Sequence, residues 1–97
     1  MEYKLFWSEE ALKNLEEILD YLKNNWTPKE TEHFKLKLTK LLDLIISYPL
    51  MFPHSDYNPR LRKAVLSRQT TIFYEVKDNI IHIAYLFVSW QNIERLK

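Results

Sequence analysis

The chain has no cysteine and no glycine. Without cysteine it forms no disulfide, offers no thiol nucleophile and cannot build a Cys-ligated zinc site. That composition fits a cytoplasmic protein. The missing glycine excludes more. Nucleotide-cradling loops need glycine where backbone approaches phosphate, so P-loops and dinucleotide-binding fingerprints are ruled out, as is the G-x-S-x-G elbow. No apolar run approaches the ~18 residues of a membrane span, so no membrane role is expected. Met1-Glu2-Tyr3-Lys4 leads straight into folded-type sequence, and no signal peptide is expected.

What is present is ordinary globular material. Ninety-seven residues and 11.9 kDa predict one domain spanning 1–97, large enough for a thin two-layer core. Hydrophobic residues at 46% and charged residues at 28% exclude wholesale disorder. The net charge of +1 hides an asymmetry. Residues 1–48 carry seven lysines, no arginine and nine acids, whereas all four arginines fall in the second half. Arg60, Arg62, Lys63 and Arg68 form a cationic run that no acid interrupts. Arginine's planar fork suits phosphates and carboxylates, so one reading is a patch for nucleic acid or an acidic partner. The other is an edge strand that carries charge to resist aggregation. On a regular strand, Arg60, Arg62 and Arg68 would share one side and Lys63 the other.

Residues 3–7 form a short aromatic β-type run. Ser8 reads as an N-cap with Glu9 and Glu10 in the first turn, and Trp7 with Leu12 as a hydrophobic staple. Leu12, Leu15, Ile18, Leu19 and Leu22 recur at helical spacing, predicting a helix over 9–24. Thr27-Pro28-Lys29-Glu30 starts a second helix, with Thr27 as cap, Pro28 at N1 and Glu30 closing a capping box. Phe34, Leu38, Leu41, Leu42, Ile45 and Tyr48 form its stripe, and Pro49 ends it near residue 47. The short link predicts an antiparallel helical hairpin, with Leu15, Ile18, Leu38, Leu41, Leu42 and Ile45 buried.

A proline-rich loop over 49–59 follows, and the period then drops to two. Strands are predicted at 62–67, 71–77 and 80–88, with Asp78-Asn79 as a two-residue hairpin turn. The third run is apolar almost throughout, which predicts a central strand. The fold expected is α+β, a two-layer β-α-α-β-β-β arrangement with the helical hairpin packed on a mostly antiparallel four-stranded sheet. Periodicity leaves the place of the first strand in the sheet open.

The three histidines point to bland roles. His33 and Glu30 are helical neighbours without a third ligand, so no metal is expected. His54-Ser55-Asp56 is loop composition, since catalytic triads assemble across a fold rather than along a chain. His82 reads as a structural residue of the sheet. No small-molecule cofactor is expected either. Aromatics crowd the C-terminal hairpin: Phe73, Tyr74, Tyr85, Phe87 and Trp90. Those on an uncovered face are candidates for a partner surface, above all Tyr85, Phe87 and Trp90.

Taken in order, several segments resemble the RelE/ParE superfamily of bacterial toxins. Trp7-Ser8-Glu9-Glu10-Ala11 opens the first helix as it does there, and Arg62-Lys63-Ala64-Val65-Leu66 opens the C-terminal sheet. Residues 72–79 resemble that family's Y-x-V-x-D hairpin, and Trp90-Gln91-Asn92-Ile93-Glu94-Arg95-Leu96 its terminal Arg-Gln-Asn-Pro-x-x-Leu. The resemblance implies a toxin of a type II toxin–antitoxin system, neutralised by a cognate antitoxin that wraps it with an amphipathic segment. It also implies one of two activities, inhibition of DNA gyrase or ribosome-dependent mRNA cleavage. In the ribonuclease branch Arg62 and Lys63 match the second-strand cations, and Arg68 lies near the early third-strand arginine, where this chain has Thr71. Relatives often carry arginine after the last strand, where this chain has Trp90-Gln91, and Ile93 replaces the proline. A ribosome binder should also be strongly basic, and a pI near 7.9 is not. Three readings stay open: a gyrase-binding ParE-like toxin, which these departures favour; a ribonuclease using Arg62, Lys63 and Arg68; and an inactive relative that keeps only antitoxin binding. In the first and third, Arg60, Arg62, Arg68, Tyr85, Phe87 and Trp90 are the expected binding residues.

Overall fold

The computed structural model describes residues 2–89. The elements run β1 (Lys4–Trp7), α1 (Glu9–Asn25), α2 (Pro28–Ser47), β2 (Arg62–Val65), β3 (Thr70–Lys77) and β4 (Ile80–Val88). The sheet order is β1-β4-β3-β2. β1 runs parallel to β4, and the other neighbours are antiparallel. The two-layer α+β expectation therefore holds, and the first strand takes the edge beside β4.

Each helix begins where its cap residue lies. The Ser8 hydroxyl accepts from the Ala11 N–H at 3.0 Å and donates to the Ala84 carbonyl at 2.6 Å. One side chain thus caps α1 and ties it to the sheet. Asn14 adds a second tie, its Oδ1 accepting from the Leu86 N–H at 3.0 Å. Thr27 caps α2 by accepting from the Glu30 N–H at 3.3 Å. The expected return bond from the Glu30 side chain does not form, and its Oε2 is buried without a partner among the described residues. Trp26-Thr27 turns the chain back so that the two helices pack together. Leu12 is 52% exposed, so the staple expected with Trp7 does not cover it.

Ile18, Leu22, Leu38 and Ile45 from the helices meet Ala64, Ile72, Tyr74, Ile81, Ile83 and Leu86 from the sheet. Leu15, Leu41 and Leu42, expected to be buried, are only partly so and pack at the core's margin. The chain is too small for both flanks of each apolar stripe to be covered by one sheet. Between β3 and β4, Asp78 and Asn79 adopt φ of 52° and 67°, the left-handed pair that a tight hairpin needs. Without glycine anywhere, Asp and Asn are the residues that reach that region at least cost.

β4 contains one irregularity. Phe73 pairs with Tyr85, but Tyr74 pairs with Ile83, so Ala84 is an extra residue on β4. Side chains alternate along a strand, so the insertion reverses parity beyond it. Ile81 and Ile83 face the helices before the bulge, and Leu86 does so after it.

Candidate functional site on the uncovered sheet face

The reversal at Ala84 decides what the other face of the sheet carries. Tyr85 and Phe87 point away from the helices, opposite Phe73 and Thr71. Phe73 and Tyr85 stack with centroids 4.8 Å apart and planes at 23°. Farther along, Phe6 of β1 meets His82 edge-on at 5.7 Å, and Glu75 lies opposite His82. Lys63 and Val65 of β2 complete the face, paired with Phe73 and Thr71. Phe6, Val65 and Phe87 are each more than half exposed. No helix among the described residues covers this side. Exposed aromatic side chains gathered on one uncovered face make it a candidate interaction site.

The cationic run is distributed differently from the sequence expectation. β2 spans only Arg62–Val65, so Arg60 and Arg68 lie beyond its two ends and the three arginines do not share one strand face. The strand stops early because the Ser67 hydroxyl accepts from the Gln69 and Thr70 N–H groups, at 3.3 and 3.2 Å, and folds the chain into a turn. Arg68 sits exposed in that turn. Arg60 is exposed in the preceding turn, its backbone N–H donating to Asn58 Oδ1 at 3.0 Å.

Arg62 turns toward the helical side, where it holds a loop. Its Nη1 donates to the Leu50 carbonyl at 3.1 Å and the Phe52 carbonyl at 2.6 Å. Its cross-strand neighbour Tyr74 donates its hydroxyl to the Pro49 carbonyl at 2.6 Å and meets Phe52 edge-on at 6.2 Å. Burial pushes the Tyr74 hydroxyl up to about 12, and the Arg62 charge works against that rise. Lys63 alone of the run joins the aromatic face. Its Nζ lies 3.9 Å from an Asp56 carboxylate oxygen that is largely in water, a pair worth little energy.

Of the expected binding residues, Tyr85 and Phe87 come together, Arg60, Arg62 and Arg68 are dispersed, and Trp90 lies outside the described residues. Among the described residues, no three His, Asp or Glu side chains converge as metal ligands would. The face can grip apolar and aromatic groups, with one ammonium beside them.

Sequence reasoning missed Phe6, Val65 and Lys63 as members of this face, although the alternation of β1 and β2 carries them. It also missed a cavity of about 200 Å³ at the turn end of the helical hairpin, lined by Trp26, Glu30 and Phe34 with Leu66 of the β2–β3 turn. Those residues come from three separated segments, and Glu30 had a sufficient local explanation as a capping residue.

Comparison with known proteins places this architecture. The family described as the ParE toxin of the type II toxin–antitoxin system parDE matches residues 5–87. No curated protein matches in sequence. Among solved structures, the chromosomal ParDE system of P. aeruginosa superposes with a TM-score of 0.74 at 17% identity, covering 89% of this chain and 95% of that one. The E. coli DinJ-YafQ toxin-antitoxin complex gives 0.63 at 15% identity, covering 91% and 93%. The toxin-antitoxin complex RelBE2 of Mycobacterium tuberculosis gives 0.62 at 12% identity, covering 92% and 100%. Identities this low speak for the fold alone. The family match extends from β1 to the aromatic end of β4, and on that ground the chain belongs to the ParE toxin family of type II toxin–antitoxin systems, within the RelE/ParE superfamily.

Proposed function

We propose that this toxin acts by binding rather than by cleaving RNA, with DNA gyrase as the target its family implies, and that a cognate antitoxin neutralises it. The observation that carries the reading is the placement of Arg62. A phosphate-cleaving site needs cations aimed where charge develops in the transition state. Here the Arg62 guanidinium faces the carbonyls of Leu50 and Phe52, Lys63 lies across the strand on the other face, and Arg68 stands off in a turn. Trp90-Gln91 after the last strand and the modest net charge support the same reading.

The antitoxin is assigned to the aromatic face. The similar structures from P. aeruginosa, E. coli and M. tuberculosis are of toxin–antitoxin systems, which supports a partner of that kind. An amphipathic segment would bury Phe6, Phe73, Tyr85 and Phe87 against its apolar side.

The test is induced expression with and without the product of the neighbouring gene, following growth, DNA supercoiling and mRNA integrity together. The expected result is growth arrest with altered supercoiling and intact mRNA, reversed by the partner. Ribosome-dependent mRNA cleavage would favour the ribonuclease reading instead. Normal growth with a stable complex would favour an inactive relative. For the basic run, Arg60→Ala with Arg68→Ala should abolish toxicity or weaken antitoxin binding while the fold persists. Unchanged toxicity and binding would reduce those charges to edge protection.

A further inference from the structure

We propose that the groove between α2 and the outer edge of β2 takes a short, extended, acidic stretch of the antitoxin, added to β2 as a strand at Val65. The inference rests on the antitoxin reading above and extends it from the aromatic face to the adjoining edge of the sheet. Lys37, Lys40, Leu41 and Leu44 of α2 line the groove with Val65 and Leu66, around a volume of about 250 Å³.

Backbone geometry supplies the first argument. β2 ends the strand order, so among the described residues no strand lies on its outer side. Backbone groups along an antiparallel strand point alternately toward and away from the neighbour. The Leu66 N–H donates to the Thr70 carbonyl on the β3 side, so Val65 directs its own N–H and carbonyl outward. Lys63 points outward too, but its N–H is taken by the Pro53 carbonyl, next to the bridge between His54 and Arg62. The loop before β2 thus covers the outer edge as far as Lys63. At Val65 the N–H and carbonyl have no partner among the described residues. An open edge of this kind is a template for strand addition.

The lining supplies the second. Leu44 and Val65 stay exposed beside Leu41 and Leu66, so apolar side chains of an added strand would be buried among them. Charge supplies the third. Lys37 and Lys40 stand on the α2 side, and among the described residues neither pairs with an acid, not even Lys40 with Asp43 three residues on. Two free ammonium groups beside an apolar floor match a segment whose apolar residues are interspersed with carboxylates. The same lysines argue against a second copy of this chain, because pairing β2 with β2 would gather like charges along one seam. Val65 belongs to the groove and to the aromatic face alike. One continuous chain can therefore pass from the stacked Phe73 and Tyr85 over the β2 edge to α2.

The probe is the product of the neighbouring gene, bound to the ¹⁵N-labelled full chain. In the complex the Val65 N–H should exchange with solvent at least tenfold more slowly than in the free toxin, because a partner carbonyl holds it. Lys37→Glu with Lys40→Glu should lower affinity at least tenfold by calorimetry and flatten its dependence on salt. Lys13→Glu with Lys23→Glu makes the same change of net charge on α1 and should leave affinity within about twofold. All four lysines are exposed, so both double variants should keep the fold. Unchanged Val65 exchange, or equal losses from the two lysine pairs, would overturn the assignment. Full affinity with self-association of the Lys37→Glu, Lys40→Glu chain would show that these charges only guard the edge. Phe87→Ser separates this failure from that of the underlying reading. Affinity lowered by Phe87→Ser but not by the Lys37 and Lys40 pair overturns the groove alone, whereas full affinity in Phe87→Ser overturns both.

Discussion

Among the described residues Tyr74 is the largest fully buried side chain, yet it carries a hydroxyl. That hydroxyl is tolerated because it donates to the Pro49 carbonyl. Its neutral form is favoured in the folded state, where its pKa rises from about 10 to about 12. The stabilisation this represents is complete below pH ~10, where both states are protonated. Between about pH 10 and 12 the unfolded chain loses the proton and the native chain keeps it, so stability falls as pH rises. Two pKa units correspond to at most about 3 kcal/mol. Denaturant unfolding should therefore show an alkaline decline that is much reduced in Tyr74→Phe. At neutral pH the same variant should lose about 1–2 kcal/mol, because the Pro49 carbonyl forfeits its donor. An unaltered alkaline limb would mean that another group titrates there. Arg62 acts on the same loop, which is why its replacement reports on folding as much as on binding.

At the level of elements, the junction of α1 with β4 rests on Ser8. The hydroxyl accepts from the helix and donates to the bulge carbonyl, so its two roles can be separated by substitution. Ser8→Asp keeps the capping acceptor and loses the donor to Ala84. Ser8→Ala loses both. Ser8→Ala should cost about 1–2 kcal/mol from the cap alone, with a further loss at the bulge. Ser8→Asp should fall between Ser8→Ala and the native chain in stability. A Ser8→Asp variant as stable as the native chain would show that the bond to Ala84 contributes nothing, and equal stability of the two variants would show the same of the cap.

For the whole molecule, the core is one layer thick and the helical hairpin covers only one side of the sheet. Ile45 is fully buried at the centre of that layer, and Ile45→Ala should cost about 2–5 kcal/mol in urea unfolding. Phe87 sits on the opposite side and is 56% exposed. Phe87→Ser should change stability by no more than about 0.5 kcal/mol, as surface substitutions generally do. In the proposed complex it should nevertheless lower antitoxin affinity at least tenfold, measured by calorimetry. Full affinity in Phe87→Ser would move the antitoxin off this face.

The local signals were strong enough to read the helices, their caps, the Asp78-Asn79 turn and the last strand directly. α2 and β4 occupy the residues their periodicity predicts, because caps, proline and alternating patterns act within a few residues of one another. The family was legible too, since it rests on the order of such segments. Three features were decided only by tertiary structure. β1 joins the edge of the sheet beside β4, a pairing between residues more than seventy positions apart that no local period records. The Ala84 bulge reverses the parity of β4. Continuing the alternation of Ile81 and Ile83 would have sent Tyr85 and Phe87 into the core, whereas the extra residue puts them on the open face. Arg62 looked like one member of a basic patch, but carbonyls from a loop ten and twelve residues earlier hold its guanidinium. A charge run states which residues are cationic. Where each charge points depends on how far the strand extends and on which backbone groups fold up beside it.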